Sequence, residues 1–483
     1  MINWKPDKSS IQPLYRQIVN YFVDRINCGD WVSGQILPSQ RQLSEIFEVN
    51  RSTVIEAMEI LNSAGLITSE YRNGTRISVD IWDSLLAKSL PEWHTFIESG
   101  KFLSNQSYVQ AINRCEFDPS FLRLGTGEMS EIILPSEQIQ QAMARLAPQK
   151  LYIRYSNPLG LDELRNLLCE HLQEIGIHTN PNCILIVSGA LQGLQLVAAG
   201  LIKDGTYIYT SPLSYINSIN VFQSSGAQLK QLSSDREGIT PWTNIRETNS
   251  LIYTNPCFHN PTGKNITQSR RKEILNYCQR HRIPIIEDDV FRDLWLDKKP
   301  PAPIKSLDTT GNVIYIGSIS KCFSPGIRIG WVVAPESVIS RLTDVKMQMD
   351  YGVSTISQQL MTELLRSNLY EEGMAVVRSR LRFYREHFFR YMTDYFSDLA
   401  DWEIPEGGFS AWIHLKNRLS SQYIFQEALK YKLLITPGVL FGKKYDSYIR
   451  LCYGYLPIEQ LKDGLQRLAE IVRNVAEKSQ PNA

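Results

Sequence analysis

From about residue 116 onward, short apolar runs of β-forming residues alternate with segments of helical periodicity, and this alternation restricts the fold more than any other feature of the chain. Cys183–Ser188, Thr206–Thr210, Leu251–Thr254, Ile283–Glu287 and Val313–Gly317 are the strand candidates. Such a pattern predicts an α/β domain whose mainly parallel sheet is covered by helices on both faces. Ligands of such sheets bind at the carboxyl ends of the strands, so the polar residues that follow each run are the first candidates for a site. With 483 residues the chain exceeds one ordinary core, and at least two folding units are expected.

Three strand ends carry chemistry. Ser188-Gly189-Ala190-Leu191-Gln192 joins a strand to an amphipathic helix, and a helix opened by glycine offers free N–H groups to a phosphate. Ile285-Ile286-Glu287-Asp288-Asp289 runs an apolar strand into three acids. One or two of these are expected in a solvated loop, while a carboxylate placed there can pair with a pyridinium nitrogen. In Ser318-Ile319-Ser320-Lys321, with Arg328 seven residues on, a lysine follows a strand and is flanked by hydroxyls. A lone lysine is usually a surface charge, but this layout suits a Schiff base to an aldehyde cofactor whose phosphate the arginine clamps.

The first eighty residues read differently. Leu14, Ile18, Phe22 and Ile26 recur every four residues over Pro13–Gly29, with Gly29 as a left-handed stop. Pro38-Ser39 opens a second helix with Leu43, Ile46 and Phe47 on its apolar face. Asn50 can cap a third, with Val54, Ala57, Met58 and Leu61 as its stripe and Gly65 at its end. Leu66–Tyr71 and Arg76–Val79 then flank Asn73-Gly74, a hairpin signal. Together these predict a helix-turn-helix followed by a wing. Arg51, Ser52 and Thr53 begin the third helix away from its apolar stripe, where a recognition helix faces bases and phosphates. Arg41 and Arg72 add positive charge at the second helix and the wing; a plain packing module is the alternative.

Composition excludes some classes. No stretch of about 18 apolar residues occurs, nor an apolar run at the start, so neither a membrane span nor a secretory signal is expected. Eight cysteines without a CxxC pair point to free thiols in a reducing cytoplasm and to no metal site. The net charge of +1 gives no sign of a nucleic-acid partner, so a DNA-binding reading rests on where the arginines sit.

Pro13-Leu14-Tyr15, Gly34, Leu37-Pro38-Ser39, Arg41, Leu43-Ser44, Val49, Arg51 and Thr53-Val54 resemble the GntR-type winged helix over residues 11–79. The resemblance implies DNA contacts from Arg41, Arg51, Thr53 and the wing around Gly74, beside the Ser52 and Arg72 that the helix and wing pattern suggests; Ile55 stands where some members carry a further arginine. Residues 80–115 read as a linker with some helix. Residues 116–475 resemble fold-type-I pyridoxal-phosphate enzymes of the class I/II aminotransferase group, through Arg154-Tyr155-Ser156-Asn157-Pro158-Leu159-Gly160, Asn260-Pro261-Thr262-Gly263, Glu406-Gly407-Gly408-Phe409 and Tyr448-Ile449-Arg450-Leu451. By this resemblance Lys321 forms the Schiff base with pyridoxal 5'-phosphate, Asp288 binds the pyridine nitrogen, Asn260 binds the ring hydroxyl and Tyr215 stacks on the ring. It likewise implies that Ala190, Leu191, Ser318 and Arg328 hold the phosphate, that Arg450 grips an effector carboxylate, and that Tyr155 reaches the cofactor of a partner subunit. Phe291 departs from the enzymes, which use a tyrosine there. The whole arrangement resembles the MocR subfamily of bacterial regulators. That implies a homodimer that binds operator DNA and senses a small amino compound or the cofactor itself; the alternative is a working aminotransferase carrying a DNA-binding module.

Overall fold

A computed structural model describes residues 4–10, 12–27, 30–31, 34–70, 74–78, 100, 102–103, 105–241, 245 and 249–479. The chain divides into two compact units, Met1–Lys101 and Phe102–Ala483.

In the smaller unit, α1 (Leu14–Asn27), α2 (Gln40–Phe47) and α3 (Arg51–Ser63) precede a hairpin of β1 (Ile67–Glu70) and β2 (Gly74–Ile77). The helices form because their apolar residues fall on one face each: Ile18, Phe22, Leu43, Phe47, Val54 and Leu61 are fully buried against one another. Burying each such side chain stabilises the unit by about 1.5–3 kcal/mol. Ser39 caps α2 in a reciprocal box with Gln42. Asn50 stands at the start of α3 but makes no side-chain capping bond, so the cap expected there is positional only. Gly65, at φ +70°, turns the chain from α3 into the hairpin. The expected stop at Gly29, the hairpin ends at Tyr71 and Val79, and Arg72 with Asn73 lie outside the described residues.

The larger unit is built on a seven-stranded sheet. Its strands are β3 (Ile184–Val187), β4 (Tyr207–Thr210), β5 (Gln228–Gln231), β6 (Ser250–Thr254), β7 (Ile285–Asp288), β8 (Val313–Ser318) and β9 (Gly330–Val333), in the order β3-β9-β8-β7-β6-β4-β5. Only β9 runs antiparallel to its neighbours. Strands β3, β6, β7, β8 and β9 are buried throughout, which is why they read as unbroken apolar runs. A four-stranded antiparallel sheet lies toward the C-terminus and carries Tyr448–Cys452 as one strand. Beginning within the range read as linker and ending one residue past it, α4 (Ser107–Glu116) packs Tyr108, Ala111, Ile112 and Cys115 onto the core of this unit. The seven cysteines among the described residues are free.

Register explains how distant residues meet. Ser318 pairs with Gly330, and Gly330 with Val187, so the segments after β3 and β8 and the one before β9 share one sheet edge. A side chain at Gly330 would run into the backbone of Gly189 and Ala190, and glycine there permits the approach.

Candidate functional site

A cavity of about 350 Å³ opens at this edge of the sheet, lined by residues at or just past the ends of β3, β6, β7 and β8 and by one from the segment before β9. Lys321 and Ser318 come from the end of β8, Asp288 from β7, and Ala190 and Leu191 from the start of the helix after β3. Tyr215, Asn260, Arg328 and Arg450 complete the set that the sequence singled out. Tyr155 is not among the lining residues; it is 79 % exposed, with its ring 5.0 Å from that of Tyr351.

Lys321 Nζ donates to the Gly127 carbonyl at 2.7 Å. Burial, reinforced by the Arg450 guanidinium, lowers the lysine below its ordinary value and so favours the neutral, nucleophilic amine. Arg450, also buried, donates to the Gly125 carbonyl at 2.9 Å and to Asn260 Oδ1 at 3.0 Å. Between them, Thr126 donates to Glu116 Oε1 at 2.8 Å, so three consecutive residues anchor three charged side chains.

Burial raises Asp288 to about 6, against a lowering hydrogen bond from Tyr253. Its Oδ2 accepts from Tyr253 at 2.6 Å, and its buried Oδ1 has no partner. An unpartnered buried carboxylate oxygen is costly unless a donor arrives from outside the chain. A protonated ring nitrogen is such a donor. All three acids are buried, contrary to the solvated loop expected for one or two of them. Glu287 accepts from the backbone N–H groups of Ile304 and Lys305, and Asp289 pairs with Arg292. These partners come from later in the chain and supply what water would have supplied in a loop.

At the opposite end, Arg328 donates from Nη2 to the Ser188 carbonyl at 2.8 Å and from Nη1 to Ser320 Oγ at 3.3 Å. Gly189, at φ +79°, lies so close that an added Cβ would stand 2.8 Å from Arg328 Nη2. A guanidinium, a helix N-terminus and the Ser320 hydroxyl thus converge, the donor set that a phosphate requires. Ser318 Oγ donates to the Ile329 carbonyl and accepts from Ser320 N, which fixes the loop. Phe291 is buried at the cavity wall, edge-on to Phe409. Sequence reasoning missed Tyr253 and Glu116. Tyr253 sits inside an apolar strand and Glu116 at the boundary between the range read as linker and the large domain, so neither carried a local signal.

In the smaller unit Arg51 and Ser52 are exposed and Thr53 is half-buried at the start of α3. Arg41 is exposed, 3.3 Å from Glu45 across one helical turn. Gly74 opens β2 at φ +80°.

The family model for bacterial regulatory proteins of the gntR family matches residues 14–77, and that for aminotransferase class I and II matches residues 119–468. The HTH-type transcriptional regulator YisV of Bacillus subtilis is 41% identical over 98% of this chain and 98% of its own length. NorG of Staphylococcus aureus, also an HTH-type transcriptional regulator, is 35% identical over 91% of this chain and its entire length. Among solved structures, α-aminoadipate aminotransferase LysN of Thermus thermophilus aligns with a TM-score of 0.69 and 25% identity, covering 77% of this chain and 96% of its own. Kynurenine aminotransferase of Pyrococcus horikoshii aligns at 0.72 and 22%, covering 83% and 99%. The chain belongs to the GntR family of bacterial transcription regulators and has the architecture of the MocR subfamily, a winged helix joined to a domain of the class I and II aminotransferases.

Proposed function

We propose that this chain is a regulator that binds operator DNA through α3 and the wing, and that reads a small amino compound through pyridoxal 5'-phosphate held in the cavity. The observation that carries this reading is the convergence of Lys321, Asp288, Arg328 and Arg450 on one cavity. When bound, the cofactor supplies an aldehyde that exchanges amines. Lys321 Nζ is its attachment point, Asp288 Oδ1 receives the ring nitrogen's proton in a hydrogen bond, and Asn260 and Tyr215 position the ring. Arg328, Ser318, Ser320 and the N–H groups at Ala190 and Leu191 hold the phosphate. Arg450 is left to orient an effector's carboxylate. Regulation requires that the two effector states differ in their preference for arrangements of the DNA-binding units.

Exposed apolar side chains at Leu151, Ile153, Tyr155, Met347, Met349 and Tyr351 favour a second copy as partner, since so many on neighbouring segments mark an interaction surface. Tyr155 would act there toward the partner's cofactor. No helix among the described residues is long and apolar enough to cross a membrane. A bacterial regulator of this kind works in the cytoplasm.

Incubation with pyridoxal 5'-phosphate followed by borohydride tests the site: a single stable adduct on Lys321 is expected, and an adduct confined to another lysine overturns the assignment. The same four residues favour a second reading, a transaminase with an attached DNA-binding module. Repeated turnover of amino acid and keto acid would select it.

A further inference from the structure

Five charged residues line the cavity: Glu116, Asp288, Lys321, Arg328 and Arg450. On the reading above, the cofactor accounts for Asp288, Lys321 and Arg328, and an effector carboxylate accounts for Arg450. Glu116 lies close enough to Lys321 and Arg450 to attract both, but no group of the cofactor or of an effector carboxylate stands opposite it.

Its position is built. Glu116 ends α4, and the same helix face presents Val109, Ile112 and Asn113 to the cavity at the i, i+3, i+4, i+7 spacing. Thr126, itself buried, holds one carboxylate oxygen. The carbonyl ends of α4 add negative potential beside the acid, so a cation placed there is favoured twice. Leu440 and Phe441 also line the cavity and, with Val109 and Ile112, give it apolar wall.

We infer that the effector is an amino acid with a hydrocarbon stem ending in a second basic group, its carboxylate on Arg450 and its distal cation on Glu116. This class follows from charge complementarity and rests on the proposed function. The neutral amine of such a compound reacts at the cofactor, while the distal group stays protonated and is recognised only as a cation.

The test is a titration of the cofactor-loaded full-length protein with L-lysine, L-norleucine and L-glutamate, read by the cofactor's absorbance, with methylamine as a minimal amine. The half-saturating concentration of lysine should lie at least about ten-fold below that of norleucine, which has the same stem without the cation, and glutamate should be weakest. In Glu116→Gln the lysine-to-norleucine ratio should approach one. If methylamine perturbs the absorbance but lysine has no advantage, the inference is overturned while the proposed function stands. A wild-type advantage for lysine that persists undiminished in Glu116→Gln also overturns it, because Glu116 would then only position Arg450. If neither methylamine nor any amino acid perturbs the absorbance, both fall.

Discussion

Tyr253 donates its phenolic hydrogen to Asp288 Oδ2 at 2.6 Å, with both side chains buried beneath the cavity floor. The pairing orients the carboxylate but leaves Oδ1 without a donor, so the chain alone holds a carboxylate that folding does not favour. Its value of about 6 in the folded protein stands above the ordinary 3.8. Between those values the folded chain binds the proton more tightly than the unfolded chain does, and this group's contribution to stability falls as pH rises through the window.

Asp288→Asn should therefore stabilise the cofactor-free protein above pH 6, by on the order of 2 kcal/mol, and the gain should fade toward pH 4. The same change should weaken pyridoxal 5'-phosphate binding at least about ten-fold, because an amide is a weaker acceptor for a protonated ring nitrogen. Thermal melts at pH 4.5 and 7.5 with a cofactor titration check both. A variant less stable than wild type at pH 7.5 without cofactor would contradict the account.

Arg328→Ala removes a charged donor from the phosphate end and should cost about 1.5–3 kcal/mol of cofactor affinity, roughly ten- to a hundred-fold in Kd. Gly189→Ala should act in the same direction without touching a charge, since its Cβ would collide with the Arg328 guanidinium. Equilibrium binding of the cofactor measures both. Normal affinity in Gly189→Ala would mean that Arg328 does not depend on the close approach at Gly189.

Much of this was legible in the sequence because burial on both faces leaves an unbroken apolar run. Such runs located β3, β6, β7 and β8, and residues at or just past their carboxyl ends lined the cavity. The acids after β7 were harder, because their burial depends on Arg292 and on backbone N–H groups near Ile304 that no local pattern announces. Glu116 was harder still: its meaning comes from Thr126, which tertiary packing brings to it. In the smaller unit, the Ser39–Gln42 box was present in the letters and capped α2, whereas Asn50 occupied a capping position without using its side chain.

Arg51→Ala should weaken DNA binding by about 1–3 kcal/mol at moderate salt while leaving the cofactor's absorbance unchanged, because the residue lies in the smaller of two compact units. Fluorescence anisotropy with DNA selected by the protein from a random pool would measure it. Unchanged affinity would contradict the recognition-helix reading of α3.

The central claim is that chemistry at Lys321 is read out on DNA. The most direct measurement is the affinity for that selected DNA of the cofactor-loaded wild type and of Lys321→Ala, each with and without a saturating amine that perturbs the wild-type absorbance. The wild type should change its affinity about five-fold or more, the range of ordinary allosteric coupling, over the same amine concentrations that change the absorbance, and Lys321→Ala should bind DNA with an affinity the amine does not alter. Equal DNA affinity of the wild type with and without amine, or an equal response in both proteins, would contradict it.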